Sequence, residues 1–117
     1  GHDMRRLLIL GLLAALVGSL AVAGPAASKR KSIEVDDDYF VAEGKPRTVK
    51  VKVDDRVVWE WEGSNPHNVT VKKGPVKFHS KDKTSGTFSK KVTKAGTYRI
   101  VCTIHAPAMR MRLKVVE

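Results

Sequence analysis

From Ser32 onward the chain runs in short stretches where apolar and polar positions alternate. Val49, Val51 and Val53 alternate with Lys50, Lys52 and Asp54, and Val57, Trp59 and Trp61 alternate with Val58 and Glu60. Val69 and Val71 flank Thr70; Tyr98, Ile100 and Cys102 keep the same rhythm, as do Leu113 and Val115. A period of two sends successive side chains to opposite faces of an extended backbone, so each run predicts a strand with one buried face. Turn-forming residues separate the runs at Glu43-Gly44-Lys45-Pro46, Asp54-Asp55, Gly63-Ser64-Asn65-Pro66, Gly74-Pro75, Ser85-Gly86 and Ala95-Gly96. With no helical run among them, this punctuation predicts an all-β sandwich. Trp59, Trp61, Phe88 and Tyr98 are expected to supply much of its core. The stretch from Val76 to Gly86 is the least regular and reads equally as loop or as a short helical turn.

The N-terminal text is different. Residues 1–3 (Gly-His-Asp) read as the remnant of an expression tag, with Met4 as the natural start. Arg5-Arg6, an apolar run from Leu7 to Ala23 and the small-x-small end Ala21-Val22-Ala23 make residues 4–23 a secretory signal peptide, with Ala26-Ala27-Ser28 as a second cut site. The other reading is an uncleaved anchor helix, since a bilayer needs about 17 to 25 apolar residues. Either way the domain is expected outside the cytoplasm: periplasmic, in the cell envelope, or extracellular. Residues 24–31 read as a flexible lead-in and residues 32–117 as one domain.

Charge narrows the partners. The chain has 22 Lys and Arg against 12 Asp and Glu; setting aside Arg5, Arg6 and Asp3 leaves 20 − 11 = +9. Such a surface attracts acidic proteins or anionic lipid headgroups in a salt-sensitive way. Lysines spread along alternating strands, with few aromatics between them, do not fit nucleic-acid binding. A monomer that meets its partners transiently is expected.

Cys102 is the single cysteine. In an oxidising compartment it has no intramolecular disulfide partner, so it is either a small buried hydrophobe or a metal ligand. Its surroundings favour the second. Cys102, His105 and Met109 fall within eight residues, spaced Cys-x2-His-x3-Met, between two predicted strands. Far upstream, Asn65-Pro66-His67-Asn68 offers a second imidazole at a strand start. Two imidazoles, a thiolate and a weak thioether are the donor set of a mononuclear blue-copper site. Soft sulfur favours Cu(I) and imidazole suits both oxidation states, whereas thioether is not a usual zinc ligand.

With these residues in view, the domain resembles the cupredoxin family, close to the plastocyanin, amicyanin and azurin group. The resemblance spans Ser32 to Glu117. It rests on the Trp59 strand, Pro66-His67-Asn68, Gly86-Thr87-Phe88, Gly96-Thr97-Tyr98, Cys102-x2-His105, and Met109 leading into a last strand. It implies a Greek-key β-sandwich holding one copper ion, Cu(II)/Cu(I), near one end. His67, Cys102 and His105 would be the strong ligands and Met109 the axial one. Asn68 would tie the ligand loops together through Thr103. The ring edge of His105, beside Ala106, Pro107 and Ala108, would be the electron port, with Arg110 and Arg112 steering an acidic redox partner.

The ligand loop departs from the family pattern. Family loops often carry glycine where this chain has Ala108 and Met111. Met111 is therefore a rival axial ligand, although loop register favours Met109. His79 reads as a solvated loop histidine, and Asp36-Asp37-Asp38 as a turn or solvated edge without EF-hand spacing. No nucleophile with an adjacent base and no Gly-rich phosphate loop is present, so the reading is a carrier of single electrons and not an enzyme. The rival is copper storage or delivery on the same ligands. A metal-free adhesion sandwich would leave the lone thiol unexplained.

Overall fold

The computed structural model describes residues 28–41 and 47–117. The tag remnant, the signal peptide or anchor helix, and the lead-in as far as residue 27 lie outside the described residues.

The described residues form eight strands: β1 (Arg30–Asp36), β2 (Tyr39–Phe40), β3 (Thr48–Lys52), β4 (Arg56–Trp61), β5 (Thr70–Lys73), β6 (Thr87–Lys91), β7 (Gly96–Val101) and β8 (Arg110–Val116). They form two four-stranded sheets, ordered β2-β1-β4-β6 and β3-β8-β7-β5. Most neighbours are antiparallel, but β1 pairs parallel with β4 and β3 parallel with β8. The all-β sandwich read from the alternation is the observed fold. β1 begins at Arg30, two residues ahead of the boundary drawn at Ser32. Arg30 and Lys31 pair by backbone with Arg56 and Val57, which their exposed side chains do not reveal.

Register brings the apolar positions of neighbouring strands onto one face. Val49 lies opposite Leu113, Val51 opposite Val115, Tyr98 opposite Leu113 and Ile100 opposite Met111. All of these are buried in one cluster with Ile33, Val35, Phe40 and Trp59. The described residues of that cluster lie between Ile33 and Val115, on the strands and on the connections that carry Val69, Val92, Cys102 and Met109. Trp59, Phe78, Phe88 and Tyr98 form its aromatic heart, with ring centroids 5.8 to 6.2 Å apart. Three of these contacts are tilted and the Phe78–Phe88 pair is stacked, both favoured geometries for such rings. Phe88 is only partly buried, because β6 is an edge strand. The Tyr98 hydroxyl donates to the Lys94 carbonyl at 2.8 Å, and burial raises its pKa above the ordinary phenol value.

The irregular stretch from Val76 to Gly86 contains no helix. It is a loop pinned to the sheet by short bridges between His67 and Lys83 and between Thr70 and His79. Buried Ser80 ties it further: its hydroxyl accepts the Val69 N–H at 2.9 Å and donates to the Lys81 carbonyl at 2.8 Å.

The candidate ligands sit on connections between strands. The β4–β5 connection crosses between the sheets and carries His67, and the β7–β8 connection carries Cys102, His105 and Met109. The tight β1–β2 turn carries Asp37 and Asp38.

Candidate metal centre

The β7–β8 hairpin ends its ladder at the pair Val101–Arg110, and the residues between them form a closed loop. Cys102 N–H donates to the Met109 carbonyl at 3.1 Å, His105 N–H to the Cys102 carbonyl at 3.2 Å, and Met109 N–H to the His105 carbonyl at 3.2 Å. These three bonds fix the loop without regular secondary structure. Cys102 and Met109 are fully buried; His105 is partly exposed.

The buried His67 imidazole arrives from the β4–β5 connection, its backbone held by reciprocal bonds with Lys83 at 2.9 Å. Its Nδ1 lies 3.9 Å from Cys102 Sγ, and His105 Nδ1 lies 3.6 Å from the same sulfur. The donor atoms of His67, Cys102 and His105 all lie within 4.8 Å of one another. Metal–ligand bonds of about 2.0 to 2.3 Å at trigonal angles leave about 3.5 to 4.0 Å between donors. Both measured sulfur–nitrogen edges fall in that range, so the three side chains fit a single ion between them. Met109 is fully buried at the end of the same loop, its backbone bonded to Cys102 and His105, and Met111, opposite Ile100 in β8, is buried in the same core cluster.

Asn68 joins the two ligand loops. Its Nδ2 donates to Thr103 Oγ1 at 2.8 Å and to Asp82 Oδ1 at 2.9 Å. Its Oδ1 accepts from the Thr103 N–H at 3.1 Å and from the Thr70 hydroxyl at 2.8 Å. All four hydrogen-bonding positions of the amide are thereby used. The Asn68 backbone N–H points at Cys102 Sγ, 3.5 Å away, and places a partial positive charge on the sulfur.

The aspartates of the β1–β2 turn are more than a solvated edge. Asp37 Oδ1 lies 3.0 Å from His67 Nε2, and Asp38 Oδ1 lies 3.3 Å from His105 Nε2. Each imidazole thus faces the sulfur with one nitrogen and a carboxylate with the other, the arrangement that fixes tautomer and ring orientation in metal sites. The Asp37 carboxylate is also gripped by the Asn65 N–H at 3.0 Å and the Ser64 N–H at 3.3 Å. The hydrogen bond with His67, then those from Asn65 and Ser64, hold its pKa below the usual carboxylate value. Gly63 makes room for this grip, since a Cβ there would overlap the Asp37 carboxylate. Asp38 adopts a left-handed backbone (φ 73°), which aspartate tolerates in tight turns. No sequence pattern links a turn at 37–38 to histidines at 67 and 105; only closure of the sandwich does.

Around the exposed edge of His105 lie Ala106, Pro107 and Ala108, all exposed, with Arg110 beside them. Ile104 joins them, and among the described residues it is the exposed large hydrophobic side chain. The alternation does not mark it, because it sits in the loop. Arg112 faces outward farther along β8. His79 is exposed and stands apart from the cluster.

Residues 32–116 match the model of the copper-binding proteins of the plastocyanin/azurin family. No curated protein matches the chain significantly. Among solved structures, the Cu(I) form of an amicyanin mutant is 26% identical, with a TM-score of 0.62 over 77% of this chain and 85% of that one. An oxidised amicyanin mutant is 28% identical, with a TM-score of 0.61 over 80% of this chain and 85% of that one. A copper-containing nitrite reductase from Thermus scotoductus SA-01 shares the fold at 20% identity (TM-score 0.63), over 82% of this chain and 24% of that one. A family match over most of the chain, and three converging donors of the right chemistry, make this chain a member of the plastocyanin/azurin family of copper-binding proteins, a cupredoxin.

Proposed function

We propose that this protein is an exported type 1 copper protein that shuttles single electrons between redox partners. The observation that carries the reading is the triangle of His67, Cys102 and His105, closed on the inside and open to solvent only at the His105 ring. Copper held there supplies a one-electron couple. His67 and Cys102 keep the donors fixed in a dry interior, so little rearrangement accompanies the change of charge. Met109 is the axial donor, and the Asn68–Thr103 bond keeps the two ligand loops in register.

Electrons enter and leave through the His105 edge. Ile104, Ala106 and Pro107 give a partner a small apolar landing area, and Arg110 and Arg112 draw an acidic partner towards it before contact. An encounter of this kind is brief, fast and weakened by salt. The amicyanin structures, in Cu(I) and oxidised forms, support a carrier rather than a catalyst.

Addition of Cu(II) to the purified domain tests the reading. An intense visible thiolate-to-copper band, absent in Cys102→Ser, together with a reversible one-electron wave, is the expected result. A colourless complex, or a band that survives loss of the sulfur, overturns it. Storage or delivery on the same ligands predicts rapid loss of copper to a competing apo-protein, whereas a carrier retains it through repeated redox cycles.

A further inference from the structure

The outward face of the β3-β8-β7-β5 sheet is charged with one sign. β3 presents Lys50 and Lys52, and β8 presents Arg110, Arg112 and Lys114, all exposed. β7 adds Arg99, and β5 adds Lys72 and Lys73. None of these four strands contains an aspartate or glutamate. The β2-β1-β4-β6 sheet differs: there Arg30 and Arg56 are interspersed with Glu34, Asp36 and Glu60.

The register makes the first face costly to keep. Lys50 stands opposite Lys114, Arg99 opposite Arg112, and Lys73 opposite Arg99. Like charges directly across a ladder repel. Among the described residues, none of these cations has a carboxylate within ion-pair distance to offset the repulsion.

We infer that this sheet face is a docking surface for an anionic phospholipid membrane. Two features favour a lipid surface over an acidic protein. Protein interfaces are built around apolar and aromatic anchors, yet the exposed large hydrophobic side chain, Ile104, lies at the metal end and not on this face. A broad face of lysines and arginines without anchors suits charges that can rearrange beneath it, as headgroups do. The chain also carries membrane-directed text ahead of the domain, the apolar run Leu7 to Ala23. A sandwich lying on this face would keep the His105 end of the β7–β8 hairpin at its rim, free for partners in the same membrane. The surface stands on charge and register alone, whatever the fate of the copper reading.

Co-sedimentation with vesicles tests it, using the metal-free chain from residue 24 onward, which contains every residue of the described core and whose cooperative thermal melt is checked first. Binding to phosphatidylglycerol–phosphatidylcholine vesicles at low salt, but not to phosphatidylcholine alone, is expected. Each cation at an anionic surface is worth about fivefold in partitioning, so Lys50→Gln, Arg99→Gln and Lys114→Gln together should weaken binding about a hundredfold. The matched triple Arg30→Gln, Lys31→Gln and Lys91→Gln, with the same loss of net charge on the other sheet, should weaken it only a few-fold. Melting temperatures of both triples confirm folding. Equal losses from the two triples overturn the assignment in favour of net charge. Absence of vesicle binding, with retention on an acidic protein through Lys50, Arg99 and Lys114, overturns it in favour of a protein partner.

Discussion

The carboxylate of Asp37 and the Nε2 of His67 lie 3.0 Å apart, although thirty residues separate them in the chain. The contact makes a turn between two short strands part of the metal centre. Partners of this kind orient a ligand and, when lost, cost about 10 to 100-fold in metal affinity. A carboxylate there also favours the more positive oxidation state. Asp37→Asn should therefore weaken copper binding by about that range and raise the reduction potential, with a tenfold bias between oxidation states amounting to about 59 mV. Gly63→Ala, which displaces the same carboxylate, should move both quantities in the same direction. Chelator competition and voltammetry read them; an unchanged potential in both variants would remove Asp37 from the site.

Asn68 fills all of its hydrogen-bonding positions by joining the loops that carry His67 and Cys102. Asn68→Ala leaves the Thr103 N–H and its neighbours short of partners, at a cost of about 1 to 3 kcal/mol. Chemical denaturation of the metal-free protein should show that loss. Loaded with copper, the variant should release the ion faster, because the loops are no longer joined. Wild-type stability in the variant would mean that water replaces the amide without cost.

Met109 and Met111 are both buried in the core cluster, so substitution is what tells their roles apart. Met109→Leu should alter the visible spectrum and potential of the copper-loaded protein, whereas Met111→Leu should leave both close to wild type. Each swap nearly conserves volume, so folding costs stay below about 1.5 kcal/mol. A spectral change confined to the Met111 variant would exchange their roles.

Trp59 is completely buried at the centre of the aromatic cluster, and among the described residues its indole N–H meets no acceptor. Trp59→Ala should cost about 3 to 5 kcal/mol, a large share of the 5 to 15 kcal/mol typical of a domain. Trp59→Phe should cost clearly less, since it keeps a ring and removes a donor that nothing satisfies. Equal losses from the two in urea titrations would show that the N–H is satisfied after all.

Asp55 closes the β3–β4 turn by accepting the N–H groups of Lys29 and Lys52, each at 2.9 Å. The Lys29 bond, then the Lys52 bond, depress its pKa. A depressed carboxyl stabilises the fold fully above its unfolded pKa of about 3.9, and the benefit disappears as pH falls through the folded value. The stability gap between wild type and Asp55→Asn should thus be wide at about pH 6 and close towards about pH 2. A gap independent of pH would assign the effect to shape and not to charge.

The alternation of valines, tryptophans and leucines is enough to read the strands and the two-layer class, because burial on one face of a strand is a property of neighbours in the chain. Cys102, His105 and Met109 are legible for the same local reason: a short loop between two strands keeps them together whatever the rest of the fold does. His67 is found through its flanking Pro66 and Asn68, with family resemblance bridging the distance. Asp37, Asp38 and Gly63 cannot be found that way. A run of three aspartates in a turn has the same local text whether it meets water or two imidazoles. The one-signed sheet face is equally hidden, since lysines in alternation look alike until strand order places Lys50 against Lys114 and Arg99 against Arg112. Local pattern thus determined the strands and most of the donor set. Only the tertiary structure decided which charges stand beside the donors and which face one another, because Coulomb and hydrogen-bond energies depend on distances that chain separation does not encode.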